Sequence, residues 1–199
     1  MLEQKRLLEL AASLEVDFLV AEVMSIHAEN HIAEAHQLLR PDLVVVTNTW
    51  PDHIDAQGET EEEIAATLSL DVVPGATVFL TRHCRRNAFE QAVLRAEGRM
   101  VIVEENRCAP MVDRNPDLAG SEFADNLDLV CAVARELDIE NEVIEAGLAA
   151  ASGYPGAFAV REIRNNESGK RVYFVDAFAA NDPVSTERVF QRVAHSFRP

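Results

Sequence analysis

The spacing of apolar positions along this chain changes several times, and each change marks a candidate element. Leu2, Leu7, Leu8, Leu10, Ala11 and Leu14 recur at helical spacing, which predicts an opening helix over residues 2–15. A nearly continuous apolar run over 17–24, with Glu22 near its carboxyl end, predicts a strand. Residues 29–39 read as a helix that Pro41 stops, and 43–47 as a second strand of the type buried in parallel sheets. Strand, crossover helix and parallel strand make one right-handed unit.

Thr60-Glu61-Glu62-Glu63 has the spacing of a capping box, in which the Thr60 hydroxyl and the Glu63 carboxylate satisfy free amides at the start of a helix reaching residue 70. Pro74-Gly75 predicts a turn, 76–80 a strand, 87–97 a helix closed by Gly98, and 99–103 another strand. A loop over 104–120 leads to two helices, 123–137 and 140–151, and Ser152-Gly153-Tyr154-Pro155-Gly156 breaks regular structure. Beyond it, 158–164 and 171–175 alternate as paired strands around a turn at 165–169, and a loop over 176–183 opens a helix at 184–194. The fold class that follows is α/β, a mostly parallel sheet flanked by helices.

Charge narrows the partners. The chain of 199 residues carries a formal charge of −16, which repels phosphate backbones and excludes nucleic acid as a natural partner; an anionic substrate needs a metal or local positive charge. Cys84, Cys108 and Cys131 have neither metal-knuckle nor C-x-x-C spacing, and an odd number gives no disulfide framework, so they read as reduced cytosolic thiols. No apolar run approaches the ~20 residues that cross a bilayer. The expected location is cytoplasmic, with membrane association left to a partner or to a segment preceding residue 1.

The candidate chemistry lies in residues 44–58, VVVTNTWPDHIDAQG, where a β-branched run ends in Asn48, Asp52, His53 and Asp55. Open α/β sheets bind ligands at the carboxyl ends of their strands, and this mix of oxygen and imidazole donors, with Glu22 from the preceding strand, suits a divalent metal beside a phosphate. Each residue also has a plainer reading. Glu22 can face solvent at a strand end, His53 can be an ordinary loop histidine, and Asn48, Asp52 and Asp55 can bond their own backbone. His27, His31 and His36, spaced by four and five, read as a solvated helix rather than a metal cluster.

Four blocks, AEVMSIHAE (21–29), TNTWPDHIDAQGETEEEIA (47–65), YPGAF (154–158) and VDAFAANDPVST (175–186), resemble the Mur ligase superfamily. Within it the chain is most similar to the ATP-dependent ligase subunit of poly-γ-glutamate synthase, the PgsB/CapB type. The resemblance implies residues 1–170 as a Mur-ligase-type central ATPase domain without its phosphate-loop part, and 171–199 as the beginning of a Rossmann-like C-terminal ligase domain. It implies ATP and Mg²⁺ as cofactors, glutamate or poly-γ-glutamate as substrate, and an acyl phosphate that an amine attacks, releasing ADP and phosphate. Glu22 and His53 match the metal-binding and catalytic positions. Asn48 matches a position facing the nucleotide or a metal-bound water, Asn126 one near the adenine, and Asp176 one bonding the ribose hydroxyls. A helix-cap role for Asn126, and a capping role for Asn181, Asp182 and Ser185, stay open beside these.

Departures from the pattern accompany the likeness. The lysine that many superfamily members carry falls at Thr67 or Leu68, and the arginine after the Pro-Gly pair falls at Ala159, with Arg161 as a substitute. The Gly-rich loop ending in Gly-Lys-Ser/Thr is missing, and Ser168-Gly169-Lys170 lacks both its glycine spacing and its following helix. The expectation is therefore a truncated ligase, unable to turn over ATP by itself, that begins and ends inside longer domains. The alternative is a non-catalytic binding module that associates with a complete ligase, another capsule-synthesis subunit or a chain supplying the phosphate loop.

Overall fold

A computed structural model describes residues 2–106, 108, 124–151, 158–164, 171–178, 180 and 182–196. They divide into two compact units, 1–102 and 103–199. The residues on either side of 170/171, the boundary expected from the sequence, include two strands that pair with each other inside the second unit.

The first unit opens with α1 (Leu2–Ser13) and continues through α2 (Ala28–Ile32), which runs on with π-type bonding over Ala33–Leu39. The widened turn ends on Arg40, left-handed at φ 47°, whose N–H reaches the Ala35 carbonyl at 2.8 Å; Pro41 then forbids continuation. The chain passes through β1 (Leu43–Val46), α3 (Ile54–Gln57), α4 (Glu61–Leu68), β2 (Thr77–Thr81), α5 (Asn87–Arg95) and β3 (Arg99–Val103). The strands form a parallel sheet in the order β1-β2-β3, with Leu43 beside Thr77 and Val46 beside Leu80. The α/β class read from the sequence is therefore the one found.

Apolar residues hold this sheet between helices. Val46, Val78 and Leu80 pack with Ala65 of α4 and with Phe89, Ala92 and Val93 of α5, while Ala35 of the π-type turn packs with Val73 and Ala76. Burying Phe89 completely contributes on the order of 2–3 kcal/mol. The expected capping box is present, with the Glu63 N–H donating to the Thr60 hydroxyl and the Glu63 carboxylate accepting from the Thr60 N–H. Those backbone N–H groups, Glu59 first and Thr60 next, lower the Glu63 pKa. Helix α5 ends differently from expectation: the left-handed residue is Glu97, at φ 51°, and Gly98 is required because a Cβ there would strike the Ala76 carbonyl.

The strand expected at 17–24 does not form. These residues are irregular, and Val20 is 94% exposed. A continuous apolar run needs a neighbouring strand to become a ladder, and among the described residues β1 has a partner on its β2 side alone. The same absence leaves Val45 in β1 43% exposed, so the run expected to be buried is an edge strand.

In the second unit, α6 (Ala124–Glu136) and α7 (Asn141–Ala150) close around Cys108, Leu127, Cys131 and Ile144. Strands β4 (Ala159–Arg164) and β5 (Arg171–Asp176) pair antiparallel, with Ala159 opposite Asp176, as their alternation predicted. Helix α8 (Pro183–Ser196) starts under the Asp182 carboxylate, which accepts the Val184 and Ser185 N–H groups at 2.8 and 2.9 Å. Asp182 thus has the capping role, with Ser185 buried against it; Asn181 lies outside the described residues.

Cys108 and Cys131 form a disulfide, against the expectation of three reduced thiols. Spacing hid it because the two cysteines lie 23 positions apart; the Cys108 N–H also donates to the Asp128 carboxylate of α6 at 2.7 Å. Cys84 is a buried thiol.

Candidate functional site

The loop after β1 is built by its own polar side chains. Asn48 Oδ1 accepts the Trp50 N–H at 3.0 Å, folding the chain back directly at the end of the strand. Asp52 Oδ1 accepts the His53 N–H at 2.8 Å, and its other oxygen lies 3.7 Å from His53 Nε2. His53 stands at φ 47°, a left-handed conformation disfavoured for a residue with a Cβ, and its carbonyl accepts the Ala56 and Gln57 N–H groups that begin α3. About half of its imidazole faces solvent.

The far side of the loop is closed by Gly58 and Thr67. Gly58 has φ 123°, and a Cβ there would collide with the Glu63 side chain. The Thr67 hydroxyl donates to the Gln57 carbonyl at 3.0 Å and so ties the loop to α4. Leu68 packs against the core instead.

Of the predicted site residues, Asn48 and His53 therefore share one loop at the carboxyl end of a parallel strand. Glu22 lies in the same unit on the irregular segment, with its side chain exposed. Asn126 and Asp176 belong to the second unit. Asn126 is the third residue of α6 rather than its cap, and Asp176 ends β5. Asp176 Oδ1 is buried with no hydrogen-bond partner among the described residues, an acceptor suited to a hydroxyl donor. The YPGAF block, apart from Phe158, and Ser168-Gly169-Lys170 fall outside the described residues.

Among the described residues no group of three or more His, Cys, Asp and Glu could cage a metal. Mg²⁺ commonly takes one or two protein carboxylates and completes its octahedron with water and phosphate oxygens, which an exposed Glu22 and a half-exposed His53 allow.

Sequence reasoning missed a buried polar group beside this loop's unit. His31, expected on a solvated helix, is 1% exposed, with Nδ1 3.0 Å from both Asp71 carboxylate oxygens. His36 Nε2 lies 2.9 Å from the Leu70 carbonyl. Burial raises the Asp71 pKa; the His31 hydrogen bond and charge act against that, and the Glu34 charge adds to it. Glu34 is itself 1% exposed and bonds the Ser25 hydroxyl and the Met24 N–H. The overlooked signal was Ala35: positions 31, 34 and 35 share one helical face, and a small apolar residue there marks the buried side.

The structure thus defines an α/β unit with a polar loop at a strand's carboxyl end, followed by a second unit ending in a hairpin and a helix. The description "Poly-gamma-glutamate synthase CapB C-terminal domain" matches residues 160–199. Over 191 residues, 96% of this chain and 40% of the relative, the sequence is 29% identical to the capsule biosynthesis protein CapB of Bacillus anthracis. Over 192 residues it is 27% identical to the PGA synthase CapB of Bacillus subtilis (strain 168), covering 96% of this chain and 48% of that one. The chain spans less than half the length of each of these relatives. No solved structure matches it. Among the described residues no helix is long and apolar enough to cross a membrane.

Proposed function

We propose that this chain contributes to poly-γ-glutamate synthesis as part of an ATP-dependent carboxylate–amine ligase of the Mur ligase superfamily. The carrying observation is the Asn48–His53 loop at the carboxyl end of β1, in a chain similar along nearly its whole length to CapB proteins. In this reading Glu22 and His53 hold Mg²⁺ and Asn48 orients a nucleotide phosphate or a metal-bound water; the second unit, taken by itself, offers Asn126 as a candidate adenine contact and Asp176 as a candidate ribose contact. Bound Mg²⁺–ATP supplies the phosphoryl group that activates the glutamate γ-carboxylate and the positive charge that lets two anions approach. The chain's residues position and screen; the loop's left-handed turn at His53 presents the imidazole outward rather than into the core.

The proposal includes that the 199 residues do not turn over ATP unaided, since no Gly-Lys-Ser/Thr loop is encoded in them. Trp50, the single tryptophan, sits in the loop and reports on it. Mg²⁺–ADP is expected to change Trp50 fluorescence in the wild type and not in Glu22→Ala or His53→Ala, with glutamate-dependent ATP hydrolysis undetected in all three. An unchanged signal at millimolar Mg²⁺–ADP counts against the site. Glutamate-dependent turnover by the wild type refutes the inactivity.

A second reading, a non-catalytic module that pairs with a complete ligase or another capsule-synthesis subunit, is favoured by the open β1 edge and the exposed Val16, Phe18, Leu19, Val20 and Met24. Light scattering of the chain alone and mixed with a full-length ligase decides it.

A further inference from the structure

Glu34 is a carboxylate with almost no exposure to solvent, and its charge adds to the raising of the Asp71 pKa. Burying an ionisable group costs stability unless donors are supplied to its oxygens. Here they are: Oε2 accepts from the Ser25 hydroxyl and Oε1 from the Met24 N–H at 3.5 Å. Among the described residues these are the hydrogen bonds that tie the irregular stretch 17–26 to another element. Glu22 stands two residues before Met24.

The anchor behind Glu34 is itself braced. His31, one helical turn earlier, is bonded to Asp71, and His36 meets the Leu70 carbonyl, so the α2 helix is held at two points to the turn after α4. A connected set of contacts therefore runs from Asp71 through His31 and the helix to Glu34, and from there to Ser25 and Met24.

We infer that Glu34 is the positioning residue for Glu22, its carboxylate clamping Met24 and Ser25 so that the exposed Glu22 side chain is presented at one place. Among the described residues no ladder orders the segment, and an unclamped Glu22 would lose configurational freedom on binding an ion. This rests on reading Glu22 as a metal ligand.

The test uses the 199-residue chain with MnCl2 and ADP, with paramagnetic broadening of amide resonances as the readout. In the wild type, broadening is expected to centre on residues 21–24 and 52–55, and Glu22→Ala is expected to remove it. Glu34→Leu, which keeps side-chain bulk, should remain folded and raise the Mn²⁺ midpoint about tenfold or more, as loss of outer-shell support commonly does. Glu34→Gln, whose amide can accept from Met24 and donate to Ser25, should restore the wild-type midpoint; a purely electrostatic role for Glu34 would not be rescued. Ser25→Ala provides a variant outside the core with the same expected direction. Selective broadening unchanged in Glu34→Leu and Ser25→Ala overturns the positioning role while leaving the ligand reading intact. Absence of selective broadening in the wild type overturns both.

Discussion

His31 and Asp71, separated by 40 positions in sequence, face each other in the interior with the imidazole Nδ1 3.0 Å from each carboxylate oxygen. With Nδ1 protonated, the ring donates to a carboxylate that has little other solvation. The contact joins α2 to the turn after α4.

Breaking that pair from one side should be costly. His31→Leu leaves a buried carboxylate without its donor, and urea unfolding is expected to show a loss of about 3 kcal/mol. Replacing both partners by apolar residues, His31→Leu with Asp71→Leu, should recover much of it, because the isolated charge is gone. A double variant no more stable than the single one would contradict this account.

The pH dependence has a definite sign. The Asp71 pKa is raised above its ordinary 3.8, first by burial, so its contribution is fully present below that value and lost as pH rises through the folded value. Wild-type stability relative to Asp71→Asn should therefore fall on going from about pH 4 towards neutrality. Chemical denaturation at a series of pH values measures it; a difference independent of pH, or one growing the other way, rules it out.

Thr60 begins α4 with a side chain that accepts the Glu63 N–H at 3.2 Å. Thr60→Ala should cost about 1 kcal/mol of stability. Because Glu63 has a lowered pKa in the fold, its part of the cap is present above the ordinary value of 4.5 and lost as pH falls through the folded value. Thermal melts should show both proteins losing the Glu63 contribution at acid pH, while most of the difference between wild type and Thr60→Ala persists, because the Thr60 Oγ1–Glu63 N–H bond does not titrate.

Gly58→Ala places a Cβ against Glu63 at a φ of 123°. The expected loss is on the order of 1–3 kcal/mol. Trp50 fluorescence should shift in the same variant, because the loop from Asn48 to Gly58 is closed at that point; unchanged emission and stability would show the loop to be more adaptable than its geometry implies.

The Cys108–Cys131 bond closes a loop spanning 23 positions and is buried at both ends. Reduction, or Cys131→Ser, should lower stability by about 2–4 kcal/mol. Thiol titration of the unfolded, non-reduced chain should count one thiol, Cys84, and three after reduction. Three thiols before reduction would restore the view of Cys108 and Cys131 as independent.

Local rules read correctly wherever the deciding partner lies within a few residues. The Thr60–Glu63 cap, the Arg40–Pro41 stop and the alternating strands β4 and β5 depend on backbone groups within one turn or one hairpin, and their side chains announce them. The stretch 17–24 misled because apolar content specifies a preference for burial, whereas a strand also requires a neighbour to accept its hydrogen bonds. Of the candidate site, Asn48 and His53 were legible as a loop following a strand, while Asn126 as a possible cap was displaced by a helix starting two residues earlier.

By itself the sequence determined the α/β class, the helix caps and stops, the polar loop after β1 and the likeness to CapB proteins, because each is written in adjacent residues or in linear order. Tertiary structure alone decided that His31 and Glu34 are interior, that Cys108 meets Cys131, and that β1 is an edge among the described residues. Those outcomes depend on which distant surfaces exclude water from a side chain, and a one-dimensional pattern holds the period of a face without naming what will cover it.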